Sequence, residues 1–463
     1  MSRTLFLVLT LALAACSSDA DNTSSNNGQD SGNTPDTGTT LDLGQDATVL
    51  PDGGSDDMTT TTDMGTTPTA RCAELPVQGP TIDVAPGDDL RTIAANAAPG
   101  TTLLLADGTY MLNGGDAASR VQLSADGLTL RGASGDASAV ILDGGYATNE
   151  VVTIHANNVT VAHLTITHAV DHLIHATPQG TTIKGTRIYD VRLIDGGEQF
   201  IKINSDGTEG AWVDDGEVVC STFIMTDDGR PNVERATGGC YTGGIDGHQA
   251  RGWKIHDNHF EGIYCAGEGL AEHAVHFWSA SRDTVVERNT IINCARGIGF
   301  GLVENGRTRD YADDPYSGIG YIGHYDGIIR NNFIYADIDF YDTGIELAQA
   351  HGVRVFHNTV VSSPDASGFF SSIDYRFANT KAEIRNNITR RITQRNGAVG
   401  ELSSNIEGAE LNMFVDAAAG DLHLSAGATD AIDKGEVVNE AGLDIDGEPH
   451  ANGVPDIGAD ERQ

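Results

Sequence analysis

Ile255-His256-Asp257-Asn258-His259-Phe260 is a stretch that this chain writes several times over. It returns as Val286-Glu287-Arg288-Asn289-Thr290-Ile291, as Ile329-Arg330-Asn331-Asn332-Phe333-Ile334, as Val355-Phe356-His357-Asn358-Thr359-Val360 and, shortened, as Ile384-Arg385-Asn386-Asn387. An apolar residue, an asparagine three positions on and a second apolar residue two further read as a strand, a corner and another strand. The asparagines lie 31, 43, 26 and 29 residues apart. Upstream the same frame is Val161 to Leu164, Ile183 to Thr186 and Val219 to Thr222, with other residues in the asparagine slot. A constant motif at variable spacing is what a solenoid of fixed strands and elastic loops produces. Each turn is expected to hold three short strands. Asparagine suits the corner because it tolerates the left-handed conformation and its amide can bond the next asparagine along the stack.

Before the first repeat, Pro86 to Tyr110 (PGDDLRTIAANAAPGTTLLLADGTY) reads as a short helix followed by a first strand, the helix covering the open end of the solenoid. After the last, GDLHLSAGATDAIDKG (Gly420 to Gly435) and DIDGEPHANGVPDIGADE (Asp444 to Glu461) look like the closing segment of many secreted bacterial β-helix proteins. The asparagine ladder and PGTTLLLADGTY together resemble the pectate-lyase-like superfamily across roughly Pro86 to Asn405. The resemblance implies an all-β fold, a right-handed parallel β-helix with an N-terminal capping helix. The body is then 71–405 and 406–463 a C-terminal cap, whose carboxylates are candidates for Ca2+.

The N-terminus carries Arg3, an apolar run from Leu5 to Ala15, and then Cys16. About ten apolar residues are too few to cross a ~30 Å hydrocarbon layer, so 1–15 is expected to be a signal peptide. Leu13-Ala14-Ala15-Cys16 resembles a bacterial lipobox, which implies lipidation at Cys16. From Ser17 to Ala70 there is no aromatic residue, Lys or Arg, and ten Asp stand among Ser, Thr, Gly and Asn. Such a segment buries too little apolar surface to offset ordering, and 16–70 is expected to be a disordered acidic tether. The protein would then be exported and held at the outer membrane or cell surface, touching the membrane only through its lipid.

The chain as a whole carries 28 Lys and Arg against 66 Asp and Glu, a net charge of −38. Most of that excess lies beyond the tether, which argues against nucleic acid or anionic lipid as partners. Beyond Cys16 there are Cys72, Cys220, Cys240, Cys265 and Cys294, enough for at most two bridges in an oxidising compartment. Cys220 and Cys240 are placed to clamp an inserted loop, and Cys265 and Cys294 occupy matching points of successive repeats. No His or Cys pair at zinc-finger spacing accompanies them.

Candidate chemistry comes from the strand after each asparagine corner. Its frames are Ile201-Lys202-Ile203-Asn204, Ile245-Asp246-Gly247-His248, Val275-His276-Phe277-Trp278, Ile298-Gly299-Phe300-Gly301, Ile345-Glu346-Leu347-Ala348 and Ile373-Asp374-Tyr375-Arg376. Alternation turns the first and third residues inward. The second column then projects outward as Lys202, Asp246, His276, Gly299, Glu346 and Asp374. The fourth stands beside it as Asn204, His248, Trp278, Gly301, Ala348 and Arg376. Gly299 and Gly301 leave a bare rung, a groove floor, and the loops 225–243, 262–274 and 302–326 would wall it, the last with Tyr311, Tyr316, Tyr321 and Tyr325.

In the resembled superfamily polysaccharide clefts lie along this face, so the expected partner is a glycan and the protein a monomer. A lyase needs a base for the sugar C5 proton and a cation for the neighbouring carboxylate. Lys202, His248 and His276 are the candidate bases, with His276 beside Asp246 preferred, and Arg296 and Arg376 the candidate cations. Trp278, Asn204 and Tyr325 would bind sugar. Glu346 and Asp374, on neighbouring rungs, have the spacing of a retaining glycoside hydrolase, whereas Asp246 and Glu346, three rungs apart, do not. Asp246, His248 and His276 have the residue types of a metal site, although no resident metal is assigned. The same groove without chemistry would serve a glycan-binding adhesin. The stretches HFWSAS (His276 to Ser281) and RGIGFG (Arg296 to Gly301) lack the Asn-Lys-Ser and Arg-His-Gly of chondroitinase-B-like lyases, and the Asp cluster of polygalacturonases is also missing.

Overall fold

The computed structural model describes residues 72–233, 240–265, 267, 269–366, 371–450 and 453–462. The leader, Cys16 and the tether through residue 70 lie outside the described residues.

One face of the solenoid is a ten-stranded parallel sheet. Its strands are Val121–Leu123, Val152–Ile154, Ile174–Ala176, Gln199–Ile203, Gly243–His248, His273–Trp278, Arg296–Phe300, Thr343–Ala348, Ser371–Arg376 and Ile392–Arg395. The strands on either side of the asparagine corner, such as Lys254–His256 and His259–Glu261, stack in parallel to make the other faces. Inside, like residues stack on like: Val161 on Ile188, then Val218, Ile255, Val286 and Ile329, all nearly or fully buried. Burying a Val or Ile contributes about 1.5–3 kcal/mol, so each turn is stabilised mainly by its neighbours.

The asparagine ladder is present. Asn258 Nδ2 donates to Asn289 Oδ1 at 3.0 Å, Asn289 to Asn332 at 3.0 Å, Asn332 to Asn358 at 2.9 Å, Asn358 to Asn387 at 3.0 Å and Asn387 to Asn405 at 2.9 Å. The expected backbone reason for asparagine needs correction. The left-handed residue is the one before it: Asp257, Arg288, Asn331, His357, Asn386 and Ser404 have φ between 50° and 55°. The slot selects asparagine for its amide, which bonds up and down the stack. Two upstream frames also slip. Ile188 to Val191 and Val218 to Ser221 hold the positions assigned to Ile183 to Thr186 and Val219 to Thr222. Ser221 occupies the asparagine slot, its N–H donating to Asn258 Oδ1 at 2.9 Å, while Ile183–Lys184 pairs elsewhere, with Val213–Asp214.

The capping helix spans Leu90–Asn96. Asp89 caps it by accepting from the Thr92 N–H at 3.0 Å, and Leu90 and Ala94 bury against the first strand of the ten-stranded sheet. A strand that the reading missed, Thr81–Val84, precedes it and pairs with Thr102–Leu105. The Cys220–Cys240 clamp is overturned. Cys72 bonds Cys220, tying the start of the described chain to a corner 148 residues away, and Cys240 bonds Cys265, joining two loops beside the ten-stranded sheet. Cys294 is left as a buried thiol, its pKa pushed up to about 12 by burial.

Segment 406–463 lies along a flank of earlier turns as well as after the last one. Its Leu422, Leu424 and Ile457 share a second core with Ile292, Phe333, Tyr335, Val361 and Ile388. The tail carboxylates fasten turns: Asp444 accepts from the Glu448 N–H, Asp456 from those of Asp433 and Arg462, and Asp460 from that of Leu424.

Candidate functional site

The column alignment holds in register. Lys202 pairs with Asp246, Asp246 with His276, His276 with Gly299, Gly299 with Glu346 and Glu346 with Asp374. The strip also runs further at its N-terminal end, where His175 stacks on Lys202. Its exposure differs from expectation. Lys202 and Asp246 are 6% and 4% exposed, His276 and Glu346 1%, and Asp374 is fully buried. The fourth column and the flanks keep partial access: Asn204, His248, Trp278, Arg296 and Arg376 are half-buried.

Asp246 is the hub. It accepts from Lys202 Nζ, from His248 Nε2 at 2.9 Å and from Trp278 Nε1 at 2.9 Å. Burial alone would raise this carboxyl, but His248 and Lys202 outweigh it and hold it well below the usual range. Lys202, drawn up by Asp246 against the opposing effect of burial, stays an ammonium and so is no base in this arrangement. His248 Nε2 also lies 3.3 Å from Lys202 Nζ. The shorter contact is to an acceptor-only carboxylate, which puts the proton on Nε2 and leaves the Nδ1 lone pair. Burial and Lys202 outweigh Asp246 here and hold the imidazole below its ordinary pKa. His248 is therefore a neutral, oriented base at the edge of the strip.

His276, the preferred base of the sequence reading, sits deeper. Its Nε2 donates to the Gly301 carbonyl at 3.1 Å. Gly301 has φ +74°, and a Cβ there would overlap the Ala348 carbonyl, so only glycine fits. Its Nδ1 lies 3.6 Å from Asp246 Oδ1 and 3.8 Å from Glu272 Oε2 with no hydrogen bond, and burial lowers its pKa to about 4. The bare rung at Gly299 is filled. A Cβ on Gly299 would come within 2.7 Å of the His273 imidazole, which lies over it between His276 and Glu346.

His273 and Glu272 were missed by the sequence reading, because strict alternation turns residue 273 inward with Val275. The signal available was Glu272-His273-Ala274-Val275-His276 read as a cluster instead of through columns. Glu272, His273 and His276 each offer a ligand atom, all within 4.8 Å of one another. Of the trio considered from sequence, His248 is hydrogen-bonded to Asp246, while His276 Nδ1 lies 3.6 Å from that carboxylate with no hydrogen bond. A second group of possible ligands, His423, Asp446 and Asp460, lies in the C-terminal segment.

Glu346 and Asp374 sit on neighbouring rungs, each behind an arginine. Arg376 bonds Glu346 Oε1 at 2.5 Å, and Arg395 grips both oxygens of Asp374 at 2.7 and 2.9 Å. Burial raises Asp374, whereas in Glu346 the opposing effects of His273 and Arg376 override burial and lower it. Arg296 lies 3.2 Å from Asp342 and 3.7 Å from Glu272. Asn204 pairs with His175 Nε2 at 2.8 Å.

Loop 302–326 runs along the fourth column, its Leu302, Glu304 and Thr308 carbonyls accepting from Arg376, Gln349 and Gln249. Its tyrosines pack on themselves. Tyr325 is 7% exposed against Tyr311 and Tyr316, and Tyr311 donates to the Ala280 carbonyl at 2.8 Å. A surface hollow of about 610 Å³ lies elsewhere, among Ser362, Arg390, Arg391 and Asn412.

No protein-family model matches the sequence, and no curated protein does. Among solved structures the chain is similar to the pectate lyase Pel9A, with a TM-score of 0.52 and 14% identity over 85% of this chain and 100% of that one. It is also similar to an alginate lyase from Paenibacillus sp. str. FPU-7, with a TM-score of 0.44 and 16% identity over 71% of this chain and 99% of that one. A third is PfbA, a surface adhesin of Streptococcus pneumoniae, with a TM-score of 0.41 and 12% identity over 69% and 86%. At 14% identity the likeness to Pel9A is one of fold, and with the parallel sheets it makes this chain a pectate-lyase-like right-handed parallel β-helix.

Proposed function

We propose that the protein is exported, lipid-anchored at Cys16, and cleaves a uronic-acid-containing polysaccharide by β-elimination, with His248 as the base. The observation that carries this is the Asp246–His248 pair: a deprotonated carboxylate fixes Nε2–H and leaves a neutral Nδ1 at the accessible edge of the strip. In the reaction Nδ1 takes the C5 proton, the C4–C5 double bond forms, and the C4–O bond breaks. Its electron pair leaves on the glycosidic oxygen, which water protonates. Arg307, exposed on the adjoining loop and near enough to depress His248, would meet the uronate carboxylate. The half-buried Trp278 ring, 4.6 Å from His248, adds an apolar surface for a sugar face. That Pel9A, which shares the fold, is a pectate lyase is in keeping with this reading.

The test is the full chain in detergent micelles against uronic-acid and neutral polysaccharides, following unsaturated-product absorbance and reducing ends in parallel. Absorbance should rise on a uronate polymer, and His248→Ala should lower the rate about 10²–10⁴-fold. An unchanged rate in that variant sinks the assignment. The pairing of Glu346 with Asp374 on neighbouring rungs favours a second reading, a retaining hydrolase, which would release reducing ends with no absorbance gain. Binding without turnover would leave the adhesin.

A further inference from the structure

We infer that Glu272, His273 and His276 form a binding site for a divalent transition metal of the zinc class. The inference stands apart from the glycan-cleavage reading. His273 and His276 are each 1% exposed, and His273 Nδ1, His276 Nδ1 and Glu272 Oε2 are buried atoms that make no hydrogen bond. Such atoms are rare in folded proteins and ask for a partner.

Their geometry names the partner. Both Nδ1 atoms lie 3.8 Å from Glu272 Oε2. Ligands about 2.0–2.1 Å from a tetrahedral ion stand roughly 3.4 Å apart, so each imidazole–carboxylate pair needs to close by a few tenths of an ångström, and all three ligand atoms already lie within 4.8 Å of one another. The far side of the His276 ring is already set for this. His276 Nε2 donates to the Gly301 carbonyl, and a proton on Nε2 leaves Nδ1 as the lone pair. His273 Nε2 faces Glu346 Oε2 at 3.6 Å without a hydrogen bond, so packing over Gly299 holds that ring. Gly299 is what lets the His273 ring lie there.

Charge points the same way. Around the cluster stand the carboxylates of Asp246, Glu272, Asp342 and Glu346, against the cations Lys202, Arg296 and Arg376. In this buried place the four carboxylates outnumber the three cations. Two imidazoles and one carboxylate suit Zn2+ and its neighbours better than Ca2+ or Mg2+, which take oxygen donors. Three protein ligands also leave a position open for water or a substrate oxygen.

The full chain in detergent, stripped with chelator and dialysed, is titrated with Zn2+ against a chromophoric competitor and with Co2+ by visible absorption. One equivalent should bind, Co2+ should show the intense bands of a low-coordinate site, and Zn2+ should raise the melting temperature. Glu272→Gln, which keeps size and shape, should weaken binding at least 10-fold, and His276→Gln at least 100-fold. His423→Gln, in the C-terminal group, should leave this binding unchanged. Less than 0.1 equivalent bound by the folded parent overturns the inference without any variant. So does loss of binding in His423→Gln with retention in Glu272→Gln; the cluster would then be held by imidazolium–carboxylate contacts alone.

Discussion

Two columns of buried polar side chains run along this solenoid, one at the asparagine corner and one on the ten-stranded sheet, and they are built on opposite plans. At the corner every rung from Asn258 to Asn405 carries the same neutral amide. Asn332 shows the completeness of it: the two N–H groups of Nδ2 are shared among Asn358 Oδ1 and the Val286 and Arg330 carbonyls, and Oδ1 accepts from Asn289. On the sheet the column mixes an ammonium, carboxylates and an imidazole, at Lys202, Asp246, His276, Glu346 and Asp374, and Glu272, His273 and His276 keep atoms without hydrogen bonds. Repetition lets every hydrogen bond be satisfied by translation along the axis. A column of unlike residues gives that up, and some of its groups are left without a hydrogen bond.

The contrast can be broken most strongly at Lys202. Lys202→Met leaves Asp246 buried beside an apolar chain and should cost about 3–5 kcal/mol, read as a lowered urea midpoint. Asn332→Ala comes next. It orphans several groups within one rung, and about 2–4 kcal/mol is expected, with hydrogen-exchange protection lost in the adjacent turns before the rest.

Acid should act on three other buried imidazoles. His172, His324 and His357 are held by burial to about 3, below their ordinary 6.5. Below pH 6.5 the unfolded chain takes up protons that the folded one refuses, so their stabilisation is present at neutral pH and is lost as pH falls from 6.5 toward 3. Calorimetry should find a lower melting temperature at pH 5 than at pH 7.5, and no drop between those values would contradict the neutral assignments. Gly299→Ala should be milder, displacing the His273 ring for about 1–3 kcal/mol while the asparagine ladder stays intact. Smallest is Trp278→Phe, which removes one hydrogen bond to Asp246 and should cost about 1–2 kcal/mol.

The strand frames were legible because a parallel solenoid stacks equivalent residues, so aligning Ile245, Val275, Ile298 and Ile345 by eye reproduces the register. Upstream, without asparagine to mark the corner, the same method slipped at Ile183 and Val219. His273 escaped for a related reason: it starts its strand, where the chain is still turning and alternation does not yet hold.

Local sequence determined the solenoid, its capping helix, the asparagine ladder and the order of side chains in the outward columns, since each follows from short-range periodicity and one repeated vector. Only the tertiary structure decided what those columns face. Loops of unequal length fold back over them, and burial and pairing in three dimensions made Lys202 a clamped ammonium, His248 a half-buried imidazole fixed by Asp246 and His273 the filling of the Gly299 rung. The pairing of Cys72 with Cys220 is of the same kind, a contact between segments 148 residues apart that no local pattern encodes.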